Sequence, residues 1–311
     1  MMKIYDDVDK IPAFKNAVLT IGTFDGVHKG HQKIIAQLKE EAKKLDGETV
    51  IITFYPHPRQ VIKTDCTVEL LNDFSEKAAL LDALGIDNLV CINFNDVFAG
   101  MAAENYIKDF LYNTFHPAKV VIGYDHRFGK GRTGDFRLLE KFGQDLGFEV
   151  IETTAQIQDQ VTVSSTKIRK ALSEGNVQIA NNLLGYHYSL SGTVTEGNKL
   201  GRTIGFPTAN IALNSPDKLI PLNGVYAVQV IVNQLNYFGM MNIGFRPTVN
   251  GKTRTIEVNI FDFDADIYNH QIRVELIDYI RAEVKFNGID ALKEQLYMDK
   301  KSVIEKLNII T

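Results

Sequence analysis

Short β-branched runs alternate with amphipathic stretches along the first half of the chain. The predicted strands are Ala17–Gly22, Glu48–Phe54, Asn88–Phe94, Lys119–Asp125 and Glu149–Thr154. The predicted helices are Gly30–Leu45, Ser75–Leu84, Met101–Phe115 and Asp135–Leu146. Strands that alternate with helices in this way predict an α/β domain with a parallel sheet and right-handed crossovers. Ligands bind such sheets at the carboxyl ends of the strands, so we expect the chemistry in the loops that follow strands.

The pattern changes near Gly185, after a last short predicted helix at Asn176–Leu184. Strand-like alternation is then dense up to Ile280, with turns that contain glycine, proline and asparagine. The predicted strands here include Gly224–Val232, Phe238–Gly244, Thr255–Phe263 and Gln271–Tyr279. This pattern predicts a small antiparallel β-barrel, closed by an amphipathic helix at Ile289–Asn308. We therefore predict two domains, residues 1–185 and 186–311.

The composition is that of a globular protein, with 45% hydrophobic and 23% charged residues among 311. The formal net charge is −4 and neither half is basic, so no nucleic-acid partner is expected. The chain has no apolar run of about 18 residues, which disfavours a membrane transporter or a membrane partner. Met1–Lys10 lacks the apolar core of a signal peptide. Cys66 and Cys91 lack metal-ligand spacing, so we expect reduced thiols in the cytoplasm.

The segment between the first predicted strand and the first predicted helix carries the richest chemistry. It reads Gly22-Thr23-Phe24-Asp25-Gly26-Val27-His28-Lys29-Gly30-His31. Its glycines let the backbone approach a ligand closely, and His28 and His31 share one face of a first helical turn. The helix N-terminus suits an anion, and two imidazoles can stabilise charge on a transferring phosphate. Two surface histidines would be the better interpretation of an isolated H-x-x-H, but the strand–turn–helix context favours the phosphate site.

Two further segments have phosphate-binding character. Ser164, Ser165 and Thr166 are helix N-cap types whose hydroxyls can donate to a phosphate, and Arg169 follows one turn later; an ordinary N-cap with a solvated arginine is the alternative. Gly192–Asn210 is glycine-rich without being a Walker A loop. Taken alone, this segment favours a barrel hairpin loop, although successive glycines would allow backbone amides to wrap phosphates.

The string from Gly22 to His31 resembles the nucleotidylyltransferase superfamily, whose H-x-G-H signature is His28-Lys29-Gly30-His31 here. Its full length is similar to the adenylyltransferase module of bacterial bifunctional riboflavin kinase/FAD synthetases. The segments Thr53–Pro58, Gly123–Gly129 and Val163–Arg169 resemble later motifs of that family in the same order. His126 departs from the aromatic residue expected at its position. The resemblance implies a Rossmann-like nucleotidylyltransferase domain.

The family resemblance also implies residue roles in the first domain. It implies that His28 and His31 are the catalytic residues. The residues implied to bind ATP are Gly22, Phe24, Gly30, Ser164, Ser165, Thr166 and Arg169. Those implied to bind the flavin are Pro56, Pro58, Asp125 and Phe128. Pro56, Pro58 and Phe128 are rigid or apolar, which suits an isoalloxazine ring, although alone they would indicate a plain loop.

Gly205-Phe206-Pro207-Thr208-Ala209-Asn210 resembles the hallmark of the riboflavin kinase module. The resemblance implies ATP binding by Gly197, Gly201 and Gly205, and Mg²⁺ binding by the hard oxygens of Thr208 and Asn210. It implies Glu257 as the general base for the terminal ribityl hydroxyl, whereas strand alternation alone would favour a solvent-facing carboxylate. Arg281 and Phe286 resemble a flavin-side segment near the start of the last helix.

The resemblance thus implies a bifunctional enzyme of FAD biosynthesis. The second module would phosphorylate riboflavin to FMN with ATP. The first would adenylylate FMN to FAD with release of pyrophosphate, using Mg²⁺ and no obligate protein partner. The alternatives are a chain active in one module only, or a flavin-binding carrier or regulator without turnover. A carrier needs no base or charge-stabilising pair, so the intact catalytic and metal-binding positions favour the enzyme.

Overall fold

The computed structural model describes residues 1–62, 68–123, 126–153, 163–197, 200–248 and 251–307. The chain divides into two compact units, Met1–Ser164 and Ser165–Thr311. The first contains a six-stranded sheet flanked by helices, and the second a closed six-stranded barrel with a terminal helix. The predicted fold class, an α/β domain followed by a mostly β domain, is therefore confirmed.

The sheet of the first unit is parallel in all its pairings. Its strands are β1 (Lys3–Tyr5), β2 (Val18–Ile21), β3 (Thr49–Tyr55), β4 (Asn88–Asn93), β5 (Lys119–Ile122) and β6 (Glu149–Glu152). Its helices are α1 (Lys29–Lys44), α2 (Pro58–Ile62), α3 (Phe74–Ala83), α4 (Asp96–Ala99), α5 (Ala103–Asn105), α6 (Asn113–Phe115) and α7 (Phe136–Leu146). Short 3₁₀ turns lie at Val8–Lys10 and Lys130–Arg132. The strand order is β1-β4-β3-β2-β5-β6.

Alternate residues of the central strands enter two different cores. Val50 and Ile52 of β3 belong to one cluster, with Ile107 of the neighbouring helical segment, while Ile51 packs with Leu38 of α1 in the other. Both faces of the sheet are therefore covered, which explains why β3 is apolar throughout its first half rather than alternating. The carboxyl ends of β2, β3 and β5 share one edge of the sheet, because β2 pairs with both neighbours.

Two local features of this unit differ from the sequence prediction. The edge strand β1 pairs in parallel with β4, yet its three residues are too few and too polar to give a strand pattern. The predicted helix Met101–Phe115 is instead α5 and α6 joined by a π-helical segment, Tyr106–Tyr112. The segment buries Tyr106, Ile107, Phe110 and Leu111 in the core.

The second unit begins with two helices and continues as an antiparallel barrel. Its helices are α8 (Ser165–Ser173), α9 (Val177–Leu184), α10 (Leu200–Thr203) and α11 (Ile289–Lys306). Its strands are β7 (Ser189–Thr195), β8 (Ala209–Leu213), β9 (Gly224–Val232), β10 (Leu235–Thr248), β11 (Gly251–Ile260) and β12 (Gln271–Arg281). The closed order is β10-β11-β8-β7-β12-β9. Val303 of α11 is fully buried in a core cluster with barrel residues such as Val225 and Met240.

Helix α9 is fastened to the barrel rather than free of it. The Asn181 side chain donates to the Leu276 carbonyl at 2.8 Å and accepts from the Tyr188 amide at 2.8 Å. Val177 and Leu184 of this helix are buried. The domain boundary at Gly185 stays a prediction. Because α9 precedes this boundary and yet contacts the barrel, the position of the boundary depends on the domain to which α9 belongs.

A fragment of residues 165–311 is expected to be more stable than one of residues 186–311. The shorter fragment exposes the barrel surface that α9 covers and loses two buried aliphatic side chains, each contributing roughly 1.5–3 kcal/mol. Thermal unfolding of the two fragments measures the difference, with far-UV circular dichroism as the check of folding. Equal melting temperatures would show that the barrel does not depend on α9 and that the boundary lies after it.

Candidate active sites

The turn between β2 and α1 holds a strained backbone. Phe24 and Val27 have φ of +46° and +34°, and Gly26 has φ of +86°. A left-handed conformation is unfavourable for a β-branched residue such as Val27. Phe24 and Val27 are 2% and 0% exposed, so burial of their side chains holds the turn. Backbone strain of this kind persists where surrounding packing enforces it, typically at functional sites.

The two predicted histidines lie against each other at the N-terminus of α1. The Nδ1 atom of His28 caps the helix by accepting from the backbone amide of His31 at 3.4 Å. The two rings stack with centroids 3.7 Å apart and an interplanar angle of 13°. Phe24 covers His31 at a centroid distance of 4.9 Å. The Nδ1 atom of His31 is buried and has no hydrogen-bond partner among the described residues.

Both imidazoles are neutral at physiological pH. Burial lowers the pKa of His28 to about 4. Burial also lowers the pKa of His31 well below its ordinary value, and the neighbouring charges of His28 and Lys77 add to the effect. A neutral imidazole keeps one N–H donor and one acceptor. The pair can therefore donate hydrogen bonds to phosphate oxygens beside the positive end of the α1 dipole.

The depressed pKa of His28 predicts a stability that falls in acid. Between pH 6.5 and about 4 the unfolded chain binds a proton at this position that the folded chain does not. Stability is therefore lost as the pH falls through this window, by about 3 kcal/mol at most for this one group. Thermal unfolding across the window is expected to show a weaker pH dependence for His28→Asn, which keeps an N-cap residue. Parallel curves for the two proteins would contradict the prediction.

The turn rests on two residues for which the motifs predict no role. The buried Asp25 carboxylate accepts from the amides of Leu71 and Asn72, at 2.9 and 3.4 Å. The Lys77 ammonium donates to the carbonyl of Thr23 at 2.7 Å. Asp25 lies within the string from Gly22 to His31. Lys77 lies in a predicted helix, where a lysine side chain is expected to be exposed to solvent.

The predicted flavin-side residues follow the neighbouring strands. Pro56 comes directly after β3, and Pro58 begins α2. Phe128 follows β5, but its ring is buried and stacks on Tyr106 at a centroid distance of 5.0 Å. Asp125 lies outside the described residues. The sheet thus brings these loops to the edge that carries the histidines, while a flavin contact for each residue stays a prediction.

The residues of the second predicted phosphate-binding segment fall in both units along the chain. Ser164 ends the first unit, and Ser165, Thr166 and Arg169 lie in α8 of the second. Ser165 is the first residue of that helix, as expected for an N-terminal phosphate site. Their contact with ATP stays a prediction.

The barrel brings together the three residues predicted for the kinase reaction. In the ladders Glu257 of β11 lies opposite Asn210 of β8 and Asn242 of β10. The Thr208 hydroxyl donates to Oε2 of Glu257 at 3.4 Å. Hydroxyl, amide and carboxylate oxygens are the ligands that Mg²⁺ prefers, so this group fits the ion. No three His, Cys, Asp or Glu side chains cluster as a metal site in the described part of the chain.

A small cleft of about 20 Å³ adjoins this group. It is lined by Gly197, Arg202, Pro207, Thr208, Asn210 and Tyr268. A Cβ at Gly197 would lie 2.1 Å from the Asn210 side chain, and one at Gly201 would lie 2.2 Å from the Phe206 carbonyl. Both glycines are therefore needed for close approach, and Gly205 follows in a left-handed turn with φ of +86°. Arg202 and Tyr268 are lining residues without a predicted role.

Arg281 lies at the end of a strand rather than near the start of the last helix. It is the final residue of β12, and α11 begins only at Ile289. Its Nε and Nη2 atoms donate to the buried Asp299 carboxylate at 2.7 and 2.6 Å. The bidentate pair fastens α11 to the barrel. The guanidinium also lies 5.8 Å from the Phe286 ring, and its predicted flavin contact stays a prediction.

Comparisons with known proteins match both units in order. The FAD synthetase family model matches residues 10–167, and the riboflavin kinase model matches residues 184–307. The bifunctional riboflavin kinase/FMN adenylyltransferase of Escherichia coli K12 is 40% identical over 92% of this chain and 91% of its own length. The enzyme of the same name from Listeria monocytogenes is 39% identical over 92% of this chain and 90% of its own.

A solved structure extends the comparison to the whole fold. It is described as a macrolide-efflux protein from Streptococcus pneumoniae, and it is 30% identical with a TM-score of 0.87. The match covers 97% of this chain and 98% of that one. None of the helices in the described ranges is long and apolar enough to cross a membrane. The family models and the curated relatives confirm the resemblance drawn from the motifs: the chain belongs to the bifunctional riboflavin kinase/FMN adenylyltransferases.

Proposed function

We propose that the barrel unit transfers the terminal phosphoryl group of ATP to riboflavin and that the first unit converts the resulting FMN to FAD. The observation that carries this proposal is that each set of predicted catalytic residues comes together within its own unit. The histidine pair lies at the turn after β2; Asn210 and Glu257 lie opposite each other on two barrel strands, and Thr208 just before one of these strands contacts Glu257. Each activity also corresponds to one family model: riboflavin kinase for residues 184–307 and FAD synthetase for residues 10–167.

In adenylyl transfer the FMN phosphate oxygen attacks the α-phosphorus of ATP, and the bond to the β-phosphate oxygen breaks as pyrophosphate leaves. His28 and His31 donate N–H bonds to phosphate oxygens on which charge develops, beside the amide groups at the N-terminus of α1. In the neutral state each imidazole still carries one N–H group that can donate such a bond. No covalent intermediate is required, so catalysis comes from positioning and charge stabilisation.

In riboflavin phosphorylation Glu257 accepts the proton of the terminal ribityl hydroxyl as that oxygen attacks the γ-phosphorus of ATP, and the bond from the γ-phosphorus to the β-phosphate oxygen breaks as ADP leaves. Oε2 of Glu257 already accepts a hydrogen bond from the Thr208 hydroxyl, so a hydroxyl group can reach this oxygen. Thr208 and Asn210 would hold Mg²⁺, which supplies neutralisation of phosphate charge. The glycines of the adjoining cleft let backbone amides approach the phosphates.

Incubation of the purified protein with riboflavin, ATP and MgCl₂ tests the proposal. Chromatography of the flavins over time is expected to show FMN rising first and FAD following. Formation of FMN alone would support a chain active in one module, and unchanged riboflavin would support the carrier. We also propose a cytoplasmic location, in keeping with the free thiol of Cys91.

A further inference from the structure

Lys77 places a buried ammonium group under the histidine turn. The residue lies on α3 and is only 9% exposed. Its Nζ atom donates to the Thr23 carbonyl at 2.7 Å and to the Thr53 hydroxyl at 3.3 Å. The Thr53 hydroxyl donates to the same carbonyl at 3.2 Å. The three groups therefore form one hydrogen-bonded cluster where β2 and β3 end.

Burial of this charge is unfavourable for stability alone. An ammonium taken out of water costs several kcal/mol unless it is fully compensated. The described residues offer it two neutral acceptors, and Asp25 is the nearby carboxylate whose charge favours the protonated form. An apolar side chain would fill the same position on α3 without this cost. A buried charge retained beside a cluster of perturbed groups is typical of a functional site.

The charge of Lys77 also acts on His31. Burial, the adjacent His28 and the Lys77 ammonium together keep the His31 imidazole neutral. Burial lowers the pKa of the Lys77 ammonium, and the negative charge of Asp25 opposes that shift. The Lys77 side chain thus lies near the imidazole that is proposed to contact the transferring phosphate.

We propose that Lys77 is a positioning residue for adenylyl transfer: it fastens the Thr23 carbonyl at the base of the histidine turn and places its buried ammonium group near His31. The first effect fixes the turn from which both imidazoles project. The second maintains His31 as a neutral donor. This inference rests on the proposed function of the turn, so its test includes His31→Ala as a reference variant.

The experiment compares Lys77→Met, which removes charge and donor, with Lys77→Gln, which removes the charge and keeps a donor. The kcat of FAD formation from FMN is expected to fall about 100-fold in Lys77→Met, the size of effect that follows a small displacement of catalytic groups. Lys77→Gln is expected to lose less. The control is Lys39→Met, an exposed lysine that also donates to a backbone carbonyl, that of Leu84. Riboflavin phosphorylation and thermal unfolding are measured for every variant.

The pH profile separates positioning from a merely structural contribution. Loss of the Lys77 charge raises the pKa of His31, so the acid limb of the kcat profile is expected to move to higher pH. A loosened turn would lower kcat equally at all pH values. Either an unshifted limb in Lys77→Gln or an unchanged kcat would overturn the inference. If His31→Ala also kept normal FAD formation, the assignment of the histidine turn as the adenylyltransferase site would fail. If His31→Ala abolished FAD formation while the Lys77 variants gave either of these contrary results, only the inference about Lys77 would fail.

Discussion

Replacement of His31 with alanine is expected to abolish FAD formation while FMN still accumulates from riboflavin. The substitution removes a preorganised donor from a buried site, a change that costs about 100- to 1,000-fold in kcat, or roughly 3–4 kcal/mol. It also leaves His28 without the ring on which it stacks at 3.7 Å. Because the kinase residues lie in a different unit, riboflavin phosphorylation is expected to continue. Chromatography of a riboflavin, ATP and Mg²⁺ reaction measures both products together.

The matched control for this variant is His116→Asn. His116 is an exposed histidine of the same unit with φ of +41°, a conformation that asparagine tolerates. Both activities are expected to remain at their normal rates in the control. Normal FAD yield from His31→Ala would show that the turn after β2 is not the adenylyltransferase site.

The fold of both domains could be predicted because it leaves a local pattern of apolar and polar positions in the sequence. Runs such as Val50, Ile51 and Ile52 are apolar on both faces, and the structure places them between two cores. In β12 the buried Ile272 and Val274 alternate with polar positions, as one barrel face requires. The edge strand β1 could not be predicted, because it gains its structure by pairing with β4 and not from its own three residues.

The candidate sites were predictable only where the motif itself supplies the side chains. His28 and His31 are neighbours on one helical turn, so their spacing already implies their contact. Lys77 reaches the same turn through tertiary packing of α3, and nothing in its local pattern separates it from a solvated lysine. Arg281 illustrates the same limit, because its partner Asp299 lies on another element and becomes visible only in the fold.

Replacement of Glu257 with glutamine is expected to produce the opposite loss from that of His31→Ala. The amide keeps an oxygen that can accept the Thr208 hydroxyl but cannot take the ribityl proton, so riboflavin phosphorylation is expected to fall by about 100- to 10,000-fold. FMN supplied directly is expected to be converted to FAD at the normal rate, because the histidine pair is untouched. Initial rates with riboflavin and with FMN as separate substrates measure the two effects.

Glu294→Gln is the matched control for this substitution, since it removes an exposed carboxylate from α11 of the same unit. Normal phosphorylation by Glu257→Gln would eliminate Glu257 as the base, because an amide has no comparable proton affinity. Equal loss of both activities would instead indicate damage beyond the barrel, since the substitution changes one atom of a side chain that lies in the barrel and contacts Thr208. A loss confined to riboflavin phosphorylation is thus the outcome expected of a proton-accepting Glu257 in the barrel.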